Sequence, residues 1–130
     1  MKPLWLIFLL LTTALAHPLS GTGPVQGDLR FEPLDQPKAK VPLVAYLDYV
    51  SLFEIKVNLM ECRCTLMAYE GAAKPDVQPK IVMPFGKKNN RLEGKLTFPK
   101  PGLYVIVVLG RPEPGSKLAP FMLTSMIEVN

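Results

Sequence analysis

The sequence predicts an all-β sandwich of seven to eight short antiparallel strands behind a cleaved leader. Three observations predict it. Fourteen prolines in 130 residues interrupt the chain too often for a helix bundle, because proline fixes φ and donates no backbone hydrogen bond. Between the prolines run short segments that are alternating or wholly apolar, bounded by Gly, Pro, Asn and Asp. A composition of 48% hydrophobic and 20% charged residues belongs to a folded chain, and this length supports one domain.

The leader comes first. Met1-Lys2-Pro3 is a short, positively charged start, and Leu4 to Ala16 is apolar apart from Thr12 and Thr13. Ala14-Leu15-Ala16 presents small residues at the positions a signal peptidase reads. The run is shorter than the roughly 20 residues of a transmembrane helix. Residues 1–16 therefore read as a signal peptide, touching a membrane only if uncleaved, and the protein is expected to be exported to the periplasm, cell envelope or exterior. Cleavage removes 16 of 130 residues and one lysine, leaving 14 basic and 11 acidic groups, a formal +3. That charge is spread along the chain and is no nucleic-acid signature.

The strands follow in order. Residues 17–27 are rich in Gly, Pro and Ser and read as a flexible arm, with the sandwich domain at 28–130. Asp28 to Glu32 alternates as a half-buried edge strand does. Pro33, Pro37 and Pro42 mark turns, and Val44, Tyr46 and Tyr49 belong to a second strand. Phe53 to Leu59 is the cleanest alternation, placing Phe53, Ile55, Val57 and Leu59 on one face. A helix competes here, since Asp48, Ser51, Glu54, Asn58 and Glu61 form a polar stripe at helical spacing. Lys56 and Arg63 break the apolar side of that helix, and Val44, Val50, Ile55 and Val57 are β-branched, so strand is preferred.

Cys62, Cys64, Leu66 and Ala68 continue the alternation in opposite parity, which requires a bulge or turn near Met60-Glu61. Gly71 to Pro79 is a loop, and Ile81 to Met83 a short strand. Lys87-Lys88-Asn89-Asn90-Arg91, the densest basic stretch, reads as a solvated hairpin loop between Gly86 and Gly94. Leu92 to Phe98 is a strand that ends in the turn Pro99-Lys100-Pro101-Gly102. Leu103 to Leu109 is almost wholly apolar and fits a central strand buried on both faces. Phe121 to Val129 closes the chain. Met83, Met122 and Met126 are spaced like core residues.

The segment Leu96 to Val108, with its Pro99-Lys100-Pro101-Gly102-Leu103-Tyr104 turn, resembles the penultimate hairpin of bacterial secreted immunoglobulin-like domains. The opening Asp28-Leu29-Arg30-Phe31-Glu32-Pro33, followed by Pro37 and Val41-Pro42, resembles the first strands of YtkA-like and FixH-like domains. The resemblance implies an immunoglobulin-like β-sandwich in which the Tyr104 hydroxyl bonds backbone at a corner.

The chemistry concentrates at Met60-Glu61-Cys62-Arg63-Cys64. Thiols at i and i+2 on a strand project from one face, and Met60 joins them if the alternation runs through. Soft sulfur donors suit Cu(I). A disulfide is the usual state of two cysteines in an exported chain. On a flat strand, however, Cα atoms at i and i+2 stand about 6.6 Å apart, at the edge of disulfide range, so a bridge needs a tight turn. Two buried thiols are the third reading.

Cleavage after Ala16 would also leave His17 at the terminus, its α-amine and ring nitrogen forming a copper-chelating pair. His17-Pro18 resembles the mature start of CopC-like copper-binding proteins, which use a second His and an Asp. This chain has one His, so that brace is incomplete. The same single His excludes a Ser-His-Asp triad and His-x-x-x-His zinc spacing, and the protein is expected not to be an enzyme. The leading expectation is an exported binding module, holding copper through Cys62, Cys64 and Met60, with His17 as a second candidate metal ligand. The alternative is a structural or accessory protein that contacts envelope proteins, its cysteines purely structural.

Overall fold

The computed structural model describes residues 17–21, 25–71 and 78–130. The expected signal peptide, 1–16, lies outside the described residues, as does most of the loop expected at 71–79.

Among the described residues ten strands form one antiparallel sheet. They are β1 (His17–Ser20), β2 (Val25–Glu32), β3 (Leu43–Leu52), β4 (Ile55–Lys56), β5 (Cys62–Glu70), β6 (Ile81–Pro84), β7 (Gly86–Lys88), β8 (Arg91–Leu96), β9 (Gly102–Pro112) and β10 (Phe121–Val129). Their hydrogen-bonded order is β6-β5-β9-β10-β1-β2-β3-β8-β7, with β4 added to β3.

This is a nearly closed barrel, and it corrects the immunoglobulin-like open sandwich. Two connections close it. The first is β1, which pairs with β2 from His17↔Leu29 to Ser20↔Gln26 and reaches β10 at Ser20↔Thr124. Residues 17–20 and 25–27, read as parts of a flexible arm, are thus strand, anchored by Leu19, which is 1% exposed. The second is the run from Ile81 to Lys88, which changes partners midway. Its β6 part pairs with β5, the Phe85 amide donates to the Cys64 carbonyl at 2.9 Å, and its β7 part pairs with β8. Gly94 permits this seam, since a Cβ there would stand 2.6 Å from the Met83 sulfur. Such joining hides strand edges that an open sandwich must protect by other means.

The interior is apolar. Leu29, Leu66, Ala68, Ile106, Val108 and Leu123 are fully enclosed. The alternation at Asp28–Glu32 is a strand with Leu29 and Phe31 inside, but it lies between β1 and β3 and is no edge. A bulge between Asp28 and Leu29 lets both Asp48 and Tyr49 fit opposite it.

The largest departure within one element is at Phe53–Leu59. Phe53 and Glu54 take positive φ, 53° and 65°, and form the two-residue turn of a hairpin with Leu52 opposite Ile55. Phe53 is 68% exposed. A 3-10 turn, Leu59–Glu61, follows, with the Asn58 side chain accepting from the Met60 amide at 3.1 Å. This is the turn the parity break requires, and β5 starts directly after it. The basic stretch is a hairpin as expected, Asn89 and Asn90 taking positive φ between Lys88 and Arg91.

Tyr104 lies inside, its hydroxyl donating to the Lys100 carbonyl at 2.7 Å. Its ring packs 4.9 Å from Phe98, which stands 6.1 Å from Phe31.

Candidate protein-contact surface

The sulfur cluster is the first correction at the site. Cys62 and Cys64 are joined in a disulfide, with Cα atoms 5.9 Å apart, inside the range a disulfide spans. Both face the core and are buried. Their sulfurs, bonded to each other, offer no thiolate to Cu(I). Met60 sits on the 3-10 turn and packs against the core margin. Among the described residues no group of three His, Cys, Asp or Glu side chains could hold a metal ion. The expected copper cofactor and Cys-x-Cys/Met site are therefore withdrawn.

His17 is held far from these sulfurs in the sheet order, on β1. Its Nε2 lies 2.7 Å from the Asp35 carbonyl oxygen, and its ring meets Phe31 edge-on at 5.3 Å. Asp28 stands opposite Pro18, and Arg30 bridges it to Asp35 at 3.3 and 3.2 Å. The residues singled out as ligands thus serve packing and pairing at separate places.

The outside of the barrel divides into two unlike halves. Over β2, β3 and β8 it is charged and paired. Arg91 binds Glu32 at 3.1 Å and Glu93 at 2.6 Å, with its guanidinium 4.1 Å above the Tyr46 ring. Arg30 and its two aspartates extend this network.

Over β6, β5, β9 and β10 the outside is apolar. Strand register arranges it in rows, because directly opposed residues share a face. The central row is Val82, Met67, Val107 and Thr124. One row toward the disulfide stand Pro84, Thr65, Leu109 and Met122, and one row the other way Tyr69, Val105 and Met126. The Tyr69 hydroxyl points at the Met67 sulfur, 3.8 Å away. Val107, in the central row, is only 7% exposed although it faces outward. Met122 and Met126 are 53% and 63% exposed, and Val82 61%. This corrects the expectation that Met122 and Met126 fill the core, where only Met83 of the three lies.

Charge is confined to the two ends. At the disulfide end Arg63 stands opposite Arg111, and Glu113 accepts from Arg63 at 2.9 Å with Lys87 at 3.6 Å. The hydrogen bond from Arg63 is the main cause that holds the Glu113 carboxyl below its ordinary pKa. That pairing is complete at neutral pH and is lost only as pH falls through the lowered value. At the far end lie Glu128, opposite Leu103, and the Glu70–Lys100 pair at 2.8 Å.

Sequence reasoning missed this surface, yet it carried the signal. Leu103 to Leu109 is apolar in both parities. Burial on both faces of a central strand was the expected consequence, and β9 is central between β5 and β10. Its inner parity, Tyr104, Ile106 and Val108, is fully enclosed, while the outer parity is half-buried at Val105 and Leu109, covered at Val107 and open at Leu103.

No family model matches the chain, and no curated protein or solved structure matches it. The resemblance to YtkA-like, FixH-like and CopC-like proteins gains no support from these comparisons, and the barrel topology stands against it.

Proposed function

We propose that this chain is an exported, non-enzymatic accessory protein of the periplasm or cell envelope that works by protein–protein contact. The observation that carries the reading is β9, whose sequence is apolar on both faces, and whose outer face, with β6 and β10, leaves Val82, Leu103, Met122 and Met126 exposed. A contiguous apolar sheet face of this kind marks an interaction surface on a monomer. The contrast with the ion-paired half supports the same choice, because selection for solubility alone would place charge on both. The disulfide supports export, since such bonds persist in oxidising compartments. With Cys62 and Cys64 bonded and turned inward, the cysteines act structurally at the start of β5.

A photo-activated cross-linking residue placed in the producing cell at Met126, and in a second variant at Lys95 on the charged half, tests the reading. A protein adduct from position 126 and none from position 95 is expected. Equal yields from both positions, or none from 126, would remove the contact function.

A further inference from the structure

We infer that the occupant of the apolar face is a second copy of this chain, docked face to face about a two-fold axis that crosses the strands at the Val107 row. The inference rests on the contact reading above and names its partner.

Size is the first argument. Four strands about 4.8 Å apart, whose outward residues fall in rows about 6.7 Å apart, five on β9, four each on β5 and β10 and two on β6, give a footprint on the order of 500 Å² before side-chain relief is counted. With its standing side chains, such a face approaches the roughly 800 Å² per partner of a standard stable interface. Two sheets pack this way about 10 Å apart with their side chains interdigitated. Val107, Met67 and Val105 would form the dry centre, with Met122 and Met126 closing over the partner's side chains. Methionine suits that position because its flexible thioether fills irregular gaps.

Charge is the second argument, and it selects the orientation. The face is basic at one end, through Arg63 and Arg111, and carries Glu128 at the other. Arg111 and Glu128 make no ion pair among the described residues. They are separated by the length of the face, since Glu128 stands opposite Leu103 at the other end of β9. A two-fold axis running along the strands would set Arg63 and Arg111 against their own copies. An axis crossing the strands turns one copy end for end and sets Arg111 of each over Leu103 of the other, one strand from that copy's Glu128. The face is then complementary to itself in an isologous, closed pair, and like charges are kept apart.

The rows are also symmetric about Val107. Two lie on each side of it, the outer ones charged and the inner ones apolar. A two-fold axis through that row leaves every apolar row facing an apolar row.

Sedimentation of the purified protein at about 100 µM, a concentration well above the Kd of a standard interface, tests the inference. A dimer is expected. Met126→Lys, at a position exposed in the single chain, is expected to weaken dimerisation at least about 100-fold with an unchanged circular dichroism spectrum, while Met126→Leu keeps the dimer. Arg111→Glu and Glu128→Arg should each weaken it, and the two together restore it. A monomer at that concentration, an undiminished Met126→Lys dimer, or open-ended growth in mass with concentration would overturn the inference. Failure of the paired swap to restore the dimer would overturn the orientation. The adducts cross-linked in cells separate the two levels. A self-adduct from position 126 supports the inference. An adduct with a different protein alone overturns it and leaves the contact reading standing, and no adduct overturns both.

Discussion

Replacing Leu19 with alanine is expected to lower the unfolding free energy by about 2–5 kcal/mol, the cost of removing a fully buried leucine side chain and leaving its cavity. Leu19 is the residue of β1 that points inward, and β1 is the strand that ties β10 to β2. The loss therefore falls on the seam as well as on the core. Native-state amide exchange should accelerate first in β1, where Leu19 stands opposite Gly27, and in the adjoining end of β10. Denaturant titration gives the magnitude and exchange gives the place. If residues 17–27 were a flexible arm, the same substitution would stay within about 0.5 kcal/mol and exchange elsewhere would not change.

The second large effect is at Tyr104. Alanine there is expected to cost about 3–5 kcal/mol, and phenylalanine about 1–2 kcal/mol. The difference divides two jobs of one side chain. The ring fills the interior beside Phe98, and the hydroxyl satisfies the Lys100 carbonyl at the turn that launches β9. Phenylalanine keeps the first and leaves the partly buried Lys100 carbonyl without this donor. Denaturation midpoints of the two variants at equal slope measure both terms. Equal losses would mean that the ring contributes nothing to the core beyond its hydroxyl.

Most strands were legible in the sequence because each carries its own periodicity. Asp28–Glu32, Cys62–Ala68, Leu92–Leu96 and Phe121–Val129 alternate, and the barrel buries the apolar parity of each. The bond from the Tyr104 hydroxyl to backbone was expected only through the immunoglobulin-like resemblance, and it is present although that fold is not. The barrel closure was not legible. β1 is four residues, HPLS, too short and too poor in β-formers to register, and its strand character comes from the partners on either side. The hand-off at Phe85 is likewise a matter of tertiary partners, since nothing local tells a residue to change neighbours in mid-strand. Phe53–Leu59 misled for the opposite reason. Its alternation is real, but the backbone turns at Phe53-Glu54, a pair without the Asn or Gly that usually announces such a turn.

The site followed the same division. The cysteine spacing left three readings open, and the disulfide closes on β5 itself, with Cα atoms 5.9 Å apart and no turn between the two residues. The outer face was present in the sequence as surplus hydrophobicity in Leu103–Leu109, Met122 and Met126. Periodicity assigns a residue to a face, but it does not say whether the chain itself covers that face.

Methionine oxidation in the producing cell tests most directly whether this outer face is covered. In dilute purified protein Met122 and Met126 stand open and should oxidise quickly, with Met83 protected inside. In the cell, measured against Met60, which lies off the face on the 3-10 turn, Met122 and Met126 are predicted to be shielded together. Oxidation of both at the rate of the dilute protein would contradict a covered face and the contact function built on it.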